Sequence, residues 1–270
     1  MVLINGKLTS TVDVTDRGLH YGDGLFETIE VIQQQPVFFA QHIARLKAGC
    51  LRLKLPFPDS ALLSAEVAQL CANIQHGVLK IMLTRGSGGR GYRQPDVISV
   101  TRYLAIHPYP NYPEPYQQIG IKARFCTARL GINPLLAGIK HNNRLEQVLA
   151  RAEWQEQYQE GLMLNIHEQV IEGTMSNIFA IKDQQLYTPD LNQSGIQGIM
   201  RQIILQQQPV KVATISPDFI LQADELFITN SVIGVWPIIQ LEQQNYAVGS
   251  VTQRVAQQLA AEKQRECAAC

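Results

Sequence analysis

The sequence predicts an α/β or α+β protein that is built from two domains. Its 270 residues are 46% hydrophobic and 17% charged, which is enough for a large buried core and for one or two domains. Strand and helix signals occur throughout the chain, and a proline-rich stretch separates them into two groups. We therefore expect a small domain over residues 1–106, a linker over 107–117 and a larger domain over 118–270.

The first group of elements consists mainly of strands. Asn5 and Gly6 lie between two apolar runs and predict a tight hairpin, and "LFETIEVI" followed by "QQQPVFF" predicts a second one. Apolar residues at helical spacing predict helices over residues 40–53 and 61–71. The stretches "VLKIMLTR" and "VISVTRYLAI" predict strands on either side of a glycine-rich loop.

The second group follows "HPYPNYPEPY", residues 107–116, in which Pro108, Pro110, Pro113 and Pro115 resist both helix and central strand. Beyond it strands and helices mix. The expected strands cover residues 119–130, 161–166, 177–183 and 225–232, and the expected helices cover residues 143–157 and 198–205 and a segment from Val251 onward.

Composition excludes several classes of function. The 23 basic and 23 acidic residues give a formal net charge of +0, so bulk charge favours neither a nucleic acid nor a membrane surface as partner. No apolar run is long enough to span a bilayer, and "MVLINGKLTS" is not a signal peptide. An odd, scattered set of five cysteines favours a reducing compartment, which predicts a cytoplasmic protein without a metal site. The tail "CAAC" is interpreted as a frayed terminus.

The glycine-rich loop "RGSGGRGY", residues 85–92, has the GxGxxG spacing of a dinucleotide-binding loop. That fingerprint needs a helix after the loop, but here Pro95 and a strand follow, and no Gly-Lys-Ser/Thr completes a phosphate-binding loop. A hairpin loop is the plain alternative. An anionic ligand would suit the three arginines of this region, which are Arg85, Arg90 and Arg93.

A lysine stands in an unusual place in "AGIKHNNRLEQ", residues 137–147. Apolar residues from Leu145 onward recur at helical spacing, which predicts a helix that starts near Asn142 or Asn143. A cation close to a helix N-terminus opposes the helix dipole, so Lys140 is poorly placed for an ordinary surface lysine. A free lysine has a pKa of about 10.4 and is unreactive at neutral pH. Burial and a helix N-terminus disfavour the charged form, which suits a lysine that forms a Schiff base.

Three further stretches supply complementary chemistry. "IEGTMSNIF" places Glu172 between a strand and a turn, "SGIQGIMRQIIL" runs from a loop into a helix N-terminus, and "ITNSV" ends a strand with hydroxyls and an amide. Each alone has an ordinary structural explanation. Together with Lys140 they provide what a pyridoxal phosphate (PLP) site requires: a lysine for the aldehyde, an acid for the ring nitrogen, and N–H and hydroxyl groups for the phosphate.

The chain resembles the fold-type IV PLP enzymes, the superfamily of branched-chain and D-amino acid aminotransferases. The matching stretches run in family order from Asp16 to Gln202: "DRGLHYGDGLFET", "HIARL", "RGSGGRGY", "LAGIKHNNRLEQVL", "EGTMSNIF" and "GIQGIMRQ". The resemblance implies a small N-terminal α/β domain, a larger mixed, barrel-like domain with helices, PLP between them, and a homodimer. Within the superfamily the chain is most similar to the lyases that act on 4-amino-4-deoxychorismate.

The resemblance implies a role for each matching residue. Lys140 would hold the cofactor and later move a proton, Glu172 would pair with the pyridinium nitrogen, and Thr28 would donate a proton near the leaving enolpyruvyl group. The phosphate would be held by Arg45, by the backbone of Ile199 and Met200, and by Ser231. The implied substrate contacts are Arg90, Tyr92 and Tyr109.

The implied reaction converts 4-amino-4-deoxychorismate to 4-aminobenzoate and pyruvate, a step in folate biosynthesis. One alternative is an aminotransferase on the same scaffold. Arg144 stands where branched-chain aminotransferases carry a tyrosine, which disfavours that alternative. A second alternative is a non-catalytic protein that binds an anionic metabolite through "RGSGGRGY".

Overall fold

The computed structural model describes residues 1–112 and 115–268, which divide into two compact units. The first unit comprises residues 1–110, Ile139–Asn143 and the chain from Arg265, and the second comprises Asn111–Gly138 and Arg144–Gln264. Pro113, which belongs to the expected linker, and Cys270, at the end of the "CAAC" tail, lie outside the described residues. In the described part of the chain, no helix has the length and apolar character that crossing a membrane requires.

The described part of the first unit contains a six-stranded antiparallel sheet with three helices. The strand order is β2-β1-β6-β5-β3-β4. The strands are β1 (Val2–Ile4), β2 (Lys7–Leu8), β3 (Gly24–Ile32), β4 (Gln35–Pro36), β5 (His76–Thr84) and β6 (Thr101–Pro108). The helices are α1 (Arg17–Tyr21), α2 (Phe39–Arg52) and α3 (Ser60–Cys71).

Both hairpins expected from the sequence are present in this sheet. The first turns at Asn5 and Gly6, which have φ of 51° and 77°, as a two-residue primed turn requires. The second turns at Gln33 and Gln34, with φ of 48° and 70°, although glutamine is not a usual residue for this backbone region. The expected helices α2 and α3 are also confirmed to within one residue.

Two boundaries in this unit differ from expectation. The strand expected from Val97 begins only at Thr101, and Val97 is 85% exposed. At its other end the same strand continues through Pro108, so the start of the expected linker is part of the sheet. Proline is tolerated there because Pro108 is the last residue of the strand.

The second unit contains a nine-stranded mixed sheet, again counted over the described residues. Eight strands follow the order β12-β11-β10-β13-β14-β7-β8-β9, and β15 pairs with β14. The strands are β7 (Ile121–Leu130), β8 (Glu160–Asn165), β9 (Val170–Gly173), β10 (Asn177–Lys182), β11 (Gln185–Pro189), β12 (Val210–Ala213), β13 (Glu225–Asn230), β14 (Gly234–Leu241) and β15 (Gln244–Asn245). The helices are α4 (Tyr116–Ile119), α5 (Leu145–Arg151), α6 (Ile199–Gln207), α7 (Pro217–Leu221) and α8 (Ser250–Ala268).

The helix expected over residues 143–157 is present but shorter than expected. Helix α5 covers only Leu145–Arg151, and the apolar residues that predicted it point outward. Leu145, Val148 and Leu149 are 76%, 60% and 65% exposed, whereas Gln147 and Ala150 are buried. The helical period was therefore correct, but the apolar face of α5 is not the face that packs against the core of the second unit.

Candidate active site

Lys140 lies at an edge of the first sheet rather than at a helix N-terminus. The N–H of Phe26 donates to the carbonyl of Lys140 at 2.9 Å, and the N–H of Asn142 donates to the carbonyl of Gly24 at 3.0 Å. These bonds hold residues 140–142 along β3, and the helix that the sequence predicts from Asn142 or Asn143 starts only at Leu145. The dipole argument for Lys140 is therefore wrong, because α5 begins only at Leu145.

The pairing with β3 directs the Lys140 side chain to the face that carries Phe26. The Lys140 Nζ lies 4.5 Å from the centroid of the Phe26 ring. Thr28, two residues further along β3, lies on the same face because side chains alternate along a strand. This face is only half-buried, so a small molecule can reach these side chains.

A second lysine, which sequence reasoning missed, lies on this face. Lys80 is the cross-strand partner of Thr28 on β5, and its Nζ is 5.5 Å from the same Phe26 ring. The only available signal was its position at alternate spacing within "VLKIMLT", which says which face it takes only when the pairing register is known. The face therefore has two lysines, a hydroxyl and an aromatic ring.

Arg45, the expected phosphate ligand, projects from α2 and is held by a buried acid. Its Nε donates to Glu27 Oε1 at 2.8 Å, and its Nη2 forms an ion pair with the same carboxylate. His42, one helical turn earlier, bonds through Nδ1 to Glu27 Oε2 at 2.6 Å. Sequence reasoning identified neither Glu27 nor His42 as part of this arrangement.

The arginines of the glycine-rich loop do not form one anion site. Arg85 is 2% exposed, binds both oxygens of Asp23 and donates to the carbonyls of Leu53 and Lys54, so its role is structural. Arg93 pairs with Asp96 at 2.7 Å on the surface. The expectation that three arginines gather there for an anion is therefore corrected: Arg85 is buried, and only Arg90 and Arg93 of the three are exposed.

The loop itself is anchored from within by a buried residue. Arg17 donates to the carbonyls of Gly88, Gly91 and Arg93 at 3.0–3.4 Å. Tyr92 is 87% exposed, with its ring centroid 5.5 Å from that of Tyr21. The structure therefore presents Arg90 and Tyr92 to the outside of a fixed loop, and their contact with substrate stays a prediction.

Tyr109 is not brought close to Lys140 in the first unit. Its ring stacks on His76 with centroids 3.8 Å apart. His76 pairs with Ile32 at the far end of β3, six residues from Phe26, which corresponds to about 20 Å along a strand. The role of Tyr109 in substrate binding also stays a prediction.

In the second unit, Glu172 is held close to the start of α6. It lies within β9, is 3% exposed, and accepts a hydrogen bond from the Ile196 N–H at 2.7 Å. Burial lowers the pKa of both Arg144 and Arg201, and in each case the negative charge of Glu172 opposes that effect. Glu172 is therefore a buried acid within electrostatic reach of two cations.

The N-terminus of α6 is shaped by the same loop. The side chain of Asn177 accepts from the Gly198 N–H at 3.1 Å and donates to the Ile196 carbonyl at 2.9 Å. A Cβ on Gly198 would come within 2.1 Å of Asn177 Oδ1, so a larger residue would displace the Asn177 side chain from these hydrogen bonds. In the described part of the chain no side chain caps α6, which leaves the N–H groups of Ile199 and Met200 for an anion.

Ser231 follows the last residue of β13, at the same end of the second sheet. Asn177 pairs with Thr229, two residues before Ser231, so the loop that leads into α6 and the turn after β13 are neighbours. The second unit thus gathers Glu172, the start of α6 and Ser231 at one end of its sheet. An acid, uncapped N–H groups and a hydroxyl fit the pyridine ring and phosphate of PLP, as Lys140 fits its aldehyde.

Several known proteins are similar to this chain over most of its length. Aminodeoxychorismate lyase of Vibrio harveyi is 35% identical over 265 residues, which is 94% of this chain and 98% of that protein. D-alanine aminotransferase of Listeria monocytogenes is 30% identical over 92% of this chain and 90% of that protein. The crystal structure of 4-amino-4-deoxychorismate lyase from Pseudomonas aeruginosa superposes with a TM-score of 0.93 at 42% identity, covering 97% of this chain and 98% of that one.

These relatives confirm the fold class and the cofactor that the sequence predicts, because the shared fold is that of the fold-type IV PLP enzymes. The model of the class IV amino-transferase family matches residues 24–241, most of both units. The chain belongs to the class IV amino-transferase family of PLP enzymes.

Proposed function

We propose that this protein is a PLP-dependent lyase that converts 4-amino-4-deoxychorismate to 4-aminobenzoate and pyruvate, a step towards folate. The observation that carries the proposal is the shared sheet face of Lys140 and Thr28, which offers a base and a hydroxyl to one substrate. The similarity to two lyases at 35% and 42% identity supports this chemistry over other activities of the family.

Different residues of the chain carry out different steps of this reaction. Bound PLP supplies an electron sink and a covalent attachment for amines. Lys140 Nζ takes the proton from the substrate ring carbon that carries nitrogen, and the neighbouring carbon–oxygen bond to the enolpyruvyl group breaks. Thr28 Oγ1, directly or through a water, protonates the methylene carbon of that group, which leaves as pyruvate. The remaining ring becomes aromatic, which makes the elimination strongly downhill.

The proposed cofactor ligands follow the donor set described above. Arg45, on α2 of the first unit, binds the cofactor phosphate. In the second unit, the N–H groups of Ile199 and Met200 and the hydroxyl of Ser231 contact the phosphate, and Glu172 keeps the pyridine nitrogen protonated. The substrate contacts proposed for Arg90 and Tyr92 rest on the family resemblance, as does that of Tyr109.

A product assay tests the proposed reaction directly. The purified protein should release equimolar pyruvate and 4-aminobenzoate from 4-amino-4-deoxychorismate. Glu172→Gln should keep the cofactor bound but lower turnover, because a neutral pyridine ring is a poorer electron sink. Wild-type turnover in Glu172→Gln would assign the ring contact to another group. Absence of 4-aminobenzoate with the wild-type protein would exclude the lyase.

An aminotransferase is the second candidate function, supported by the 30% identity to D-alanine aminotransferase. It would transfer amino groups from D-alanine or leucine to 2-oxoglutarate and would need no proton donor for a departing enolpyruvate. If amino-group transfer were faster than pyruvate release, aminotransferase activity would be the main activity of the protein and the lyase proposal would be rejected. A yellow colour bleached by borohydride would exclude the third alternative, a binding protein without chemistry.

The homodimer implied by the family has a candidate surface on α5. Leu145, Val148 and Leu149 form an exposed apolar stripe, and Leu135 is 80% exposed in the same unit. Such a stripe on a soluble enzyme is typical of a surface that a second subunit covers. Val148→Glu should shift the protein to monomer in sedimentation analysis, whereas Val97→Glu, at an exposed valine of the first unit, should not.

The cysteines support a reducing compartment, and we place the enzyme in the cytoplasm on that ground. Cys50, Cys71 and Cys126 are buried free thiols in the described part of the chain. Burial raises the pKa of Cys50 and Cys126 to about 12 and that of Cys71 to about 11, so these thiols are unreactive.

A further inference from the structure

A buried acid lies beside the proposed phosphate ligand, and the reaction does not use it. Glu27 is 1% exposed on the face of β3 that packs against α2. Its two oxygens accept from Arg45 Nε at 2.8 Å, from Arg45 Nη2, and from His42 Nδ1 at 2.6 Å. His42 and Arg45 are three residues apart on α2, so both side chains reach the same carboxylate.

Burial and pairing act in opposite directions on the charges of this cluster. Burial alone would raise the pKa of Glu27, but the positive charge of Arg45 and the contact with His42 outweigh it and lower that pKa to about 2. Burial lowers the pKa of His42, and the charge of Glu27 only partly compensates. His42 is therefore neutral, its Nδ1–H donates to Glu27, and its buried Nε2 has no hydrogen-bond partner among the described residues. The cluster is an ion pair with a neutral imidazole.

The contact geometry limits how Arg45 can move. Glu27 takes the Nε–H and one Nη2–H, two of the five N–H groups of a guanidinium, in a side-on fork. A fork of this kind fixes the plane of the guanidinium as well as its position. A free arginine side chain has many rotamers, and ordering it before an anion arrives removes that entropic cost from binding.

We infer that Glu27 is a positioning residue for the cofactor phosphate, which it serves by holding Arg45 in a fixed orientation. The inference rests on the proposed function, in which Arg45 binds that phosphate. Glu27 itself touches neither cofactor nor substrate. The consequence is specific, because loss of Glu27 weakens the part of the binding that depends on the phosphate and leaves the aldehyde and ring contacts as they were.

The chain offers a matched control for an ordinary buried ion pair. Glu66 is 4% exposed and holds Arg102 in the same side-on fork, with Arg102 Nε at 3.0 Å and Nη2 at 2.6 Å from its two oxygens. Both pairs join a helix to a strand in the first unit, but no proposed site residue contacts Glu66 or Arg102. Loss of either acid should therefore lower the stability of the protein, but only loss of Glu27 should weaken binding of the cofactor phosphate.

The experiment compares two ligands that differ only in the phosphate. Apoenzyme is titrated with PLP and with pyridoxal, and the ratio of the two dissociation constants is measured for wild type, Arg45→Met, Glu27→Gln and Glu66→Gln. Arg45→Met should reduce the preference for PLP about ten- to a hundredfold, the value of a charge-assisted contact, and Glu27→Gln should reduce it by a smaller factor because Arg45 remains but is no longer held. Glu66→Gln should leave it unchanged. If Glu27→Gln does not fold, Glu27→Asp keeps the charge but retracts it from Arg45, and should also reduce the preference.

Each other outcome overturns a defined part of the argument. A normal preference for PLP in Glu27→Gln or Glu27→Asp, together with a reduced one in Arg45→Met, would exclude the positioning role alone. A normal preference in Arg45→Met would exclude Arg45 as phosphate ligand, and the inference with it. Equal weakening of PLP and pyridoxal binding in Glu27→Gln would reduce Glu27 to a purely structural residue.

Discussion

The two faces of β3 differ in burial and in what their residues can do. On one face Leu25, Glu27 and Ile29 are 0–1% exposed. On the other face Phe26 and Thr28 are half-buried, and the Lys140 side chain joins them. Residues that are adjacent in sequence thus serve different purposes, because side chains alternate across a strand. The buried face contributes stability, and the half-open face carries the proposed chemistry.

Glu27 is where the two faces are linked. It lies among the core residues, yet through Arg45 it acts on the proposed cofactor site. If the comparison is correct, substitutions on the open face change turnover without changing stability, and substitutions on the buried face do the reverse. Glu27 alone should do both.

The largest expected effect is that of Lys140→Ala on turnover. Loss of the covalent lysine and proton carrier should lower turnover by at least about a thousandfold. The melting temperature should stay close to wild type, because Lys140 is half-buried at a sheet edge and its backbone makes the pairing bonds. Peptide mapping of the wild-type protein after borohydride reduction should find the pyridoxyl group on Lys140. A label on Lys122 or Lys182 would refute the assignment.

The next effect is on stability in acid. The pKa of Glu27 falls from 4.5 to about 2 on folding, so its stabilisation is present above pH 4.5 and is lost as the pH falls towards 2. A pKa shift of that size contributes on the order of 3 kcal/mol to the free energy of unfolding at neutral pH. The stability difference between wild type and Glu27→Gln, measured by denaturant unfolding, should therefore shrink steadily over that range.

Glu160 in the second unit is a control, because its pKa shifts in the opposite direction on folding. It is fully buried and accepts bonds from the hydroxyls of Thr174 and Ser176 at 2.6 and 2.7 Å, but no cation pairs with it among the described residues. Burial therefore raises its pKa, and its contribution is largest below pH 4.5 and falls as the pH rises. Wild type should thus lose stability relative to Glu160→Gln on going from acid to neutral pH. Parallel pH profiles for the two variants would contradict the assigned signs.

Thr28→Ala on the open face should have a smaller effect that is confined to the last step. A positioned proton donor contributes about a hundredfold or more, so pyruvate release should slow by that factor. Binding of PLP and the melting temperature should not change, because Thr28 is half-buried and is not a proposed cofactor ligand. Thr28→Ser keeps the hydroxyl and should retain most of the activity. Equal activity in Thr28→Ala and Thr28→Ser would remove Thr28 from the mechanism.

Local signals in the sequence predicted the elements that are locally determined. The turn at Asn5 and Gly6 is determined by which residues accept positive φ, and the helices α2 and α3 by apolar spacing. The placement of Lys140 could not be predicted this way. Residues 140–142 pair with β3, more than a hundred residues earlier, and no local pattern in the sequence indicates that pairing.

The same limit applies to the charged residues. Arg85 looked like an anion ligand in the sequence, but it is buried against Asp23, 62 residues away. Glu27 and Lys80 were missed because their importance depends on which face of which strand they occupy. The family resemblance supplied Lys140, Glu172 and the other site residues, whereas their supporting contacts became visible only in the structure.

The smallest expected effect tests the buried face with a change that leaves no new polar group. Ile29 is 0% exposed and is adjacent to Thr28 in sequence, on the opposite face of β3. Ile29→Val removes one methylene from a packed core and should cost about 0.5–1.5 kcal/mol of unfolding free energy. Both kcat and KM should remain within about twofold of wild type. A twofold change in rate corresponds to a change of less than about 0.5 kcal/mol in activation free energy. If the change in activation free energy calculated from kcat exceeded the loss of unfolding free energy, the buried face would also control the reaction. The division of roles between the two faces of β3 would then be refuted.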